Sequence, residues 1–321
     1  MEIGSFIELQ FPKGNEWYKG ALHIARLNTG RAAIWHAFRV TRAKRIWLPY
    51  YQCESVRGFL QRKGCDIQYY HQDKNFQPLD LCPQKEDAVL LVNYFGIMSQ
   101  ERMKVLAGKY SNVIIDNCQA FFCPPLPDVL NVYSARKFVG VPDGAYVVGE
   151  NAHLYLEDYP QGYSSDTADF LLKRIEYGCE GKGYKARSIN EHRIDTEGAM
   201  IMSKLTHAIL DGTDYDFICK KHQENFALAD QLFHQVNLLN PLQYVDDDTT
   251  PMVYPLLIED DGLLSRLQDA KHFQGHWWSN ICDELSVDCF EYWISRFMIP
   301  ITIDQRYGIK ELEYLSKIVM G

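Results

Sequence analysis

The stretch from residue 113 to residue 148 constrains the fold of this chain more than any other part of the sequence. It contains three short, mostly apolar runs, which are typical of buried strands. These runs span residues 113–115, 130–133 and 144–148. The first run ends at Asp116, and the second is followed by Ser134 and Lys137. An acid, a hydroxyl and an amine therefore lie just past strand ends, where open α/β sheets bind their ligands.

These three residue types suit one cofactor, pyridoxal phosphate (PLP). Its aldehyde needs an amine to form a Schiff base, which Lys137 can supply. Its pyridine nitrogen must stay protonated, and a buried carboxylate at Asp116 would hold that proton by Coulomb attraction. Its phosphate needs hydroxyl and backbone donors, and Ser134 lies three residues before the lysine.

Each of these residues also has an ordinary structural interpretation. An isolated lysine is usually a solvated surface charge, and an isolated aspartate after a strand is usually a turn former or a helix cap. A serine three residues before a lysine carries little information by itself. The combination, in this order behind two apolar runs, favours a cofactor site over separate coincidences.

This stretch resembles the fold-type I PLP enzymes, and within them the DegT/StrS-like aminotransferases, which act mostly on keto-sugar nucleotides. The family pattern is Asp-x-Ala-Gln/His-Ala after a strand, then a serine before the Schiff-base lysine, then a glycine-rich turn. The matching segments here are Asp116-Asn117-Cys118-Gln119-Ala120, Ser134-Ala135-Arg136-Lys137 and Gly140-Val141-Pro142-Asp143-Gly144. The resemblance implies that Asp116 pairs with the ring nitrogen and that Gln119 lies near the phenolic oxygen of the ring. It also implies that Ser134 binds the phosphate and that Lys137 forms the Schiff base.

The resemblance and the pattern of apolar runs predict the same α/β fold. Residues 21–149 alternate strand-like and helix-like segments, which predicts a mostly parallel central sheet covered by helices. A length of 321 residues fits two domains. The expected fold is that of a fold-type I PLP transferase. Residues 1–240 would form the large PLP-binding domain, with an N-terminal arm at residues 1–20. Residues 241–321 would form a small C-terminal α+β domain.

A second part of the cofactor site is predicted near residue 30. Helical spacing of apolar residues begins at Arg31, with Thr29 and Gly30 where an N-cap would lie. A helix N-terminus offers free N–H groups and the positive end of the helix dipole, so it can hold a phosphate. The resemblance implies that all three residues bind PLP here. An ordinary helix cap is the alternative interpretation.

An aromatic ring should stack on the pyridine face, according to the resemblance. Cys53 occupies the position that aligns best with this ring, so a neighbouring tyrosine would have to replace it. Tyr50 and Tyr51 are the candidates, and Tyr51 is the predicted cofactor contact. Packing against the sheet is the alternative for either tyrosine.

Arg296 is the predicted binding residue for the carboxylate of an amino-acid substrate. It lies just before an apolar run at residues 297–301. The aspartate aminotransferase branch carries its substrate arginine in a similar setting. The planar guanidinium can donate two parallel hydrogen bonds to a carboxylate and stays charged. The alternatives are an ion pair with an acid such as Glu291 and plain exposure to solvent.

Composition narrows the classes of partner. A net charge of −9 argues against a general nucleic-acid or anionic-membrane surface. The nine cysteines show no CxxC spacing and no His-x-x-His motif accompanies them, so no metal site is predicted. Neither a signal peptide nor a membrane-spanning run is recognisable, which predicts a cytoplasmic protein with reduced thiols.

The basic segment at residues 178–193 is predicted to be a loop. Together with the family resemblance, it predicts a homodimer with its site near the subunit boundary.

The function that these features imply is that of a PLP-dependent aminotransferase. It would move an amino group from an amino acid, with glutamate as the expected donor, to a small keto substrate, for which a keto-sugar nucleotide is one candidate. A different PLP reaction on an amino acid is one alternative. A non-catalytic binding or regulatory protein that keeps the fold is the other. A family branch that dehydrates sugars replaces the lysine with histidine, so Lys137 argues against that branch.

Overall fold

The computed structural model describes residues 3–321, so residues 1 and 2 of the predicted arm lie outside the described residues. The strands are β1 (Ile24–Leu27), β2 (Arg45–Pro49), β3 (Asp66–Gln72), β4 (Pro78–Leu79), β5 (Ala88–Val92), β6 (Val113–Asn117), β7 (Leu130–Ser134), β8 (Ala145–Val148), β9 (Val253–Leu257) and β10 (Met298–Thr302). The helices are α1 (Gly30–Thr41), α2 (Glu54–Arg62), α3 (Gln100–Ala107), α4 (Asp169–Tyr177), α5 (Lys182–Thr196), α6 (Lys204–Asp211), α7 (Tyr215–Phe233), α8 (Leu263–Asp269), α9 (Ile281–Glu284), α10 (Phe290–Phe297) and α11 (Ile309–Met320).

The central sheet has eight strands in the order β1-β8-β7-β6-β5-β2-β3-β4. The run from β7 to β3 is parallel throughout, whereas β8 and β4 are antiparallel to their neighbours. β1 is antiparallel to β8 and therefore points the same way as the parallel strands. The predicted mostly parallel sheet covered by helices is confirmed. The carboxyl ends of β1, β2, β5, β6 and β7 consequently meet at one edge.

The central strands β5, β6 and β7 are buried on both faces, which explains their mostly apolar character. Side chains alternate between the faces along β5 because the strand repeat is two residues. Ala88 and Leu90 pack in the same core cluster as Ile34 of α1 and Phe59 of α2. Val89 and Leu91 belong to the cluster that includes α7, β9, β10 and α11.

The C-terminal part adds a two-stranded antiparallel sheet, formed by β9 and β10. Helix α7 packs against both α11 and β9, so it contacts the C-terminal elements although it precedes residue 240. The division into domains at residues 240 and 241 stays a prediction.

The predicted loop at residues 178–193 is wrong, because α5 begins at Lys182 and packs against α4 as a helical hairpin. The buried residues of α5 are Gly183, Ala186, Asn190 and Ile194. Since most of these side chains are small or polar, the segment lacks the apolar periodicity that identifies a helix from sequence. No helix in residues 3–321 combines the length and the apolar character that crossing a bilayer requires.

Candidate cofactor and active site

The candidate site lies at the edge of the sheet where the parallel strands end. Asp116 is the fourth residue of β6, and Ser134 is the last residue of β7. The chain then turns through a short 3₁₀ helix that ends at Lys137. Helix α1 begins at Gly30, directly after β1 and its two-residue turn. The parallel topology therefore assembles the predicted residues at one edge.

The carboxylate of Asp116 is buried and fixed from two sides. Its side chain is 6% exposed. The amide nitrogen Nε2 of Gln52 donates to Oδ2 at 3.1 Å, and the backbone N–H of Cys118 donates to Oδ1 at 2.9 Å. Both bonds hold the carboxylate in a set orientation. The orientation does not depend on a ligand.

The N-terminus of α1 approaches the ends of β6 and β7 very closely. A Cβ atom on Gly30 would lie 2.7 Å from Sγ of Cys118 and 3.9 Å from Cβ of Ser134. The missing side chain of Gly30 thus permits this approach. Thr29 caps the helix, since its hydroxyl accepts the N–H of Ala32 at 3.2 Å. The helix end with its free N–H groups is therefore close to Ser134.

Lys137 and Ser134 carry polar groups without protein partners. The side chain of Lys137 is exposed, and no residue in the described part of the chain forms a hydrogen bond or ion pair with its ammonium. Ser134 is buried, and its hydroxyl forms no side-chain hydrogen bond, not even as N-cap of the following 3₁₀ helix, among residues 3–321.

Lys137 also acts on the neighbouring thiol. Burial, with the charge of Asp116 added, raises the pKa of the Cys118 thiol, and the ammonium of Lys137 opposes this rise. Cys118 is therefore close enough to both the acid and the amine to respond to their charges.

Helix α5 binds two arginines that flank this edge. Asp195 of α5 forms an ion pair with Arg31, and Glu191 forms one with Arg136. The two acids are four residues apart, so they lie on the same face of α5. Arg31 is thus placed beside the helix end, as expected, but its guanidinium already has an anionic partner.

The structure places Gln119 and Tyr51 in tightly packed surroundings. Gln119 is buried, and its Oε1 accepts the backbone N–H of Phe95 at 2.6 Å. Tyr51 is 0% exposed, with its ring 4.4 Å from that of Trp278 and 5.4 Å from that of Tyr94. Its hydroxyl has no hydrogen-bond partner within residues 3–321. The structure brings neither side chain into contact with Lys137, and their contacts with a cofactor stay predictions.

Arg296 lies apart from this cluster, at the end of α10. Its Nη2 and Nε donate to Oδ1 of Asp261 at 2.6 and 3.1 Å, and its side chain is 48% exposed. No contact within residues 3–321 joins it to Asp116, Ser134 or Lys137. The acid that pairs with it is Asp261, and Glu291 is bound elsewhere. Its role toward a substrate carboxylate stays a prediction.

Sequence reasoning gave no role to Gln52, which holds Asp116. Gln52 follows β2, and β5 lies between β2 and β6 in the sheet. The sequence offers one signal for this role, because Gln52 is a polar residue three positions after the end of β2, a strand that ends at this edge of the sheet. Without the strand order, the sequence cannot join Gln52 to Asp116.

No family model matches the sequence, and no curated protein does either. Solved structures do match. A sugar aminotransferase from Micromonospora echinospora superimposes with a TM-score of 0.64 at 16% identity, over 94% of this chain and 87% of that chain. A DegT/DnrJ/EryC1/StrS aminotransferase from Brucella abortus gives 0.63 at 12% identity, over 95% and 87%. GDP-4-keto-6-deoxy-D-mannose-3-dehydratase from E. coli, solved with hydrated PLP, gives 0.63 at 13% identity, over 93% and 88%.

The chain has the fold-type I PLP-enzyme fold. At these identities the comparisons establish the fold, and the predicted fold class is confirmed. The likeness extends over most of each neighbour, since this chain covers more than four fifths of the length of each of these three structures.

The residues at the sheet edge fit PLP on their own chemistry. A buried, oriented carboxylate suits a protonated ring nitrogen, and a free lysine amine suits an aldehyde. The unpaired Ser134 hydroxyl and the helix end at Gly30 suit a phosphate. These four groups lie around Cys118, which contacts Gly30 and the Asp116 carboxylate.

Proposed function

We propose that this protein is a PLP-dependent aminotransferase that moves an amino group from an amino-acid donor to a small keto substrate. One observation carries the proposal. At the sheet edge where open α/β folds bind ligands, the free amine of Lys137 and the buried, oriented carboxylate of Asp116 both act on the charge of the Cys118 thiol. Sugar aminotransferases share the fold, which supports a keto sugar, free or nucleotide-linked, as the acceptor. Glutamate is the proposed donor.

Bound PLP would supply an electron-withdrawing ring that stabilises negative charge on the substrate carbon bearing the amine. Asp116 would keep the ring nitrogen protonated, and Ser134 with the backbone N–H groups of α1 would hold the phosphate. Thr29, Gly30 and Arg31 belong to this phosphate side. Lys137 would attach the cofactor through Nζ, and that nitrogen would later take up and return a proton.

Gln119 and Tyr51 complete the proposed cofactor site indirectly. Gln119 follows Asp116 by three residues and fixes the turn after β5 through the N–H of Phe95. Tyr51 precedes Gln52, whose amide binds Asp116. We propose that both residues hold the walls of the ring site.

We propose Arg296 as the binding residue for the donor carboxylate, released from Asp261 when the donor enters. Arg296→Ala should raise the Michaelis constant for the donor by roughly 30-fold and leave PLP loading unchanged. Arg266→Ala is the matched control, because Arg266 forms a similar exposed pair with Asp260. A donor Michaelis constant within a few-fold of wild type would show that another residue holds the carboxylate.

We also propose a cytoplasmic homodimer. All nine cysteines are free, as expected in a reducing compartment. Helix α5 forms ion pairs with Arg31 and Arg136. Large apolar side chains are exposed on the α4–α5 hairpin, at Leu172, Ile175, Tyr177, Tyr184 and Ile189. Such a patch is typical of a protein interface. Sedimentation at micromolar concentration should give the mass of a dimer, and an active PLP-loaded monomer would contradict the proposal.

Two measurements test the function. Protein incubated with PLP and then desalted should be yellow, and the visible band should disappear when a suitable amino donor is added. A screen of amino donors, glutamate first, against keto sugars should then give turnover. Colour loss with a donor but no amino product would favour a different PLP reaction. A desalted protein that retains no PLP would favour a non-catalytic binding protein.

A further inference from the structure

A group of three metal-binding side chains lies away from the sheet edge described above. His71, Cys289 and Glu291 each place one ligand atom within 4.8 Å of the other two. His71 is in β3 of the large sheet, whereas Cys289 and Glu291 belong to the start of α10. The two chain segments are 220 residues apart in sequence. The fold alone brings them together.

Glu291 is a buried acid whose cationic partners are few. Its side chain is 1% exposed. Its Oε1 accepts the backbone N–H of Gln72 at 2.6 Å, and both of its oxygens lie 3.3 Å from Nδ1 of His71. No lysine or arginine within residues 3–321 lies at ion-pair distance from it. A buried carboxylate is costly unless a cation compensates its charge.

The donor set identifies the cation that suits this place. One imidazole, one thiolate and one carboxylate match the nitrogen, sulfur and oxygen ligands of zinc, whereas calcium and magnesium prefer oxygen alone. Ligand atoms about 2 Å from a tetrahedral metal lie roughly 3.3 Å apart. That value equals the separation of His71 Nδ1 from the oxygens of Glu291. Thiolate and carboxylate together neutralise the two charges of the ion.

We propose that His71, Cys289 and Glu291 bind a zinc ion, with water as the fourth ligand. The surroundings support the ligands, as is usual around metal sites. The Gln72 N–H orients the Glu291 carboxylate, and the ring of Tyr50 packs 4.5 Å from that of His71. The ion joins β3 to α10 and so ties the large sheet to the C-terminal elements. The bound ion should raise the stability of the folded protein, because the cross-link closes a long loop and so lowers the conformational entropy of the unfolded chain.

Zinc content and thermal stability test the proposal directly. Full-length, tag-free, reduced protein is stripped with EDTA, dialysed and titrated with zinc sulfate. Mass spectrometry of the metal should give about one tightly bound zinc per chain, and the thermal midpoint should rise by several degrees at saturating zinc. Cys289→Ser and His71→Ala should each weaken zinc binding by about tenfold or more. Cys282→Ser is the control, because Cys282 is partly buried in neighbouring α9 but lies outside the trio.

Two readouts on the wild-type chain do not depend on how the variants fold. Cobalt in place of zinc should give the near-ultraviolet band of a thiolate-bound metal. Zinc should also protect Cys289, but not Cys282, from alkylation by iodoacetamide, as peptide mass spectrometry would show. Less than about 0.1 zinc per chain, or equal alkylation of Cys289 with and without zinc, would overturn the proposal. Equal zinc affinity in wild type, Cys289→Ser and His71→Ala would do so as well.

Discussion

The two sides of the candidate site differ in how complete they are without a ligand. On the β6 side, Asp116 is buried and receives two hydrogen bonds from the protein. On the side formed by β7 and α1, Lys137 and Ser134 have no protein partner in the described part of the chain, and Arg31 is paired with the exposed Asp195. The Asp116 side is therefore preorganised, whereas the side of Lys137 and Ser134 leaves polar groups unpaired, which the proposed cofactor would satisfy through its aldehyde and phosphate.

The largest effect is expected at Lys137, on the incomplete side. Lys137→Ala should give colourless protein and lower the turnover by about 10,000-fold or more, because no other group supplies both the amine and the proton transfer. Lys137→Arg is the control, since it keeps the positive charge but should be equally colourless. Absorbance after PLP loading checks both variants. A yellow Lys137→Ala protein, or a borohydride-fixed cofactor on a different lysine of wild type, would rule out this assignment.

The preorganised side is tested by Asp116→Asn. The amide keeps the size of the side chain but cannot hold a proton on the ring nitrogen, so the turnover should fall by on the order of 100-fold or more. PLP binding should weaken much less, because the phosphate side is unchanged. Steady-state rates and a PLP titration separate the two effects. A nearly normal rate would refute the proposed role of Asp116.

The close approach between the two sides is tested at Gly30. In Gly30→Ala the new methyl group would meet Sγ of Cys118 at 2.7 Å, so the helix end or the thiol must shift. Overpacking of this kind costs about 1–3 kcal/mol, so the PLP dissociation constant should rise by about fivefold to 150-fold if the cost falls on the cofactor-bound state. Cys118→Ala should restore binding in the double variant.

Gly58→Ala is the matched control, because a Cβ there meets its nearest neighbour only at 3.5 Å, at the flexible end of Arg62. Weaker PLP binding in Gly30→Ala that Cys118→Ala does not restore would show that backbone conformation, rather than contact with the thiol, requires the glycine.

The same comparison explains what the sequence could and could not predict. The placement of Asp116, Ser134 and Lys137 at one edge of the sheet was predictable because each follows a mostly apolar run, and parallel strands bring such residues to one edge. Their roles toward a cofactor stay predictions. Gln52 was not, because its contact crosses β5 and depends on the strand order. The ion pairs of α5 join residues far apart in the chain, from a helix without apolar periodicity. The proposed zinc ligands could not be predicted for the same reason, because His71 and Cys289 are far apart in the chain and no short sequence spacing connects them.

The smallest effect is expected at Asp195. Its substitution tests whether the Asp195 carboxylate competes with the cofactor phosphate for Arg31. The carboxylate of Asp195 is 58% exposed and pairs with Arg31, and such a pair contributes little stability. If Arg31 binds the phosphate, Asp195 competes for the same guanidinium and repels the anion. Asp195→Asn should therefore strengthen PLP binding by about two- to fivefold, and the gain should shrink at high salt. Glu191→Gln, which frees Arg136 instead, should change PLP binding less. Weaker binding in Asp195→Asn would mean that Asp195 holds Arg31 in its binding orientation, so that the phosphate side would be preorganised like the Asp116 side.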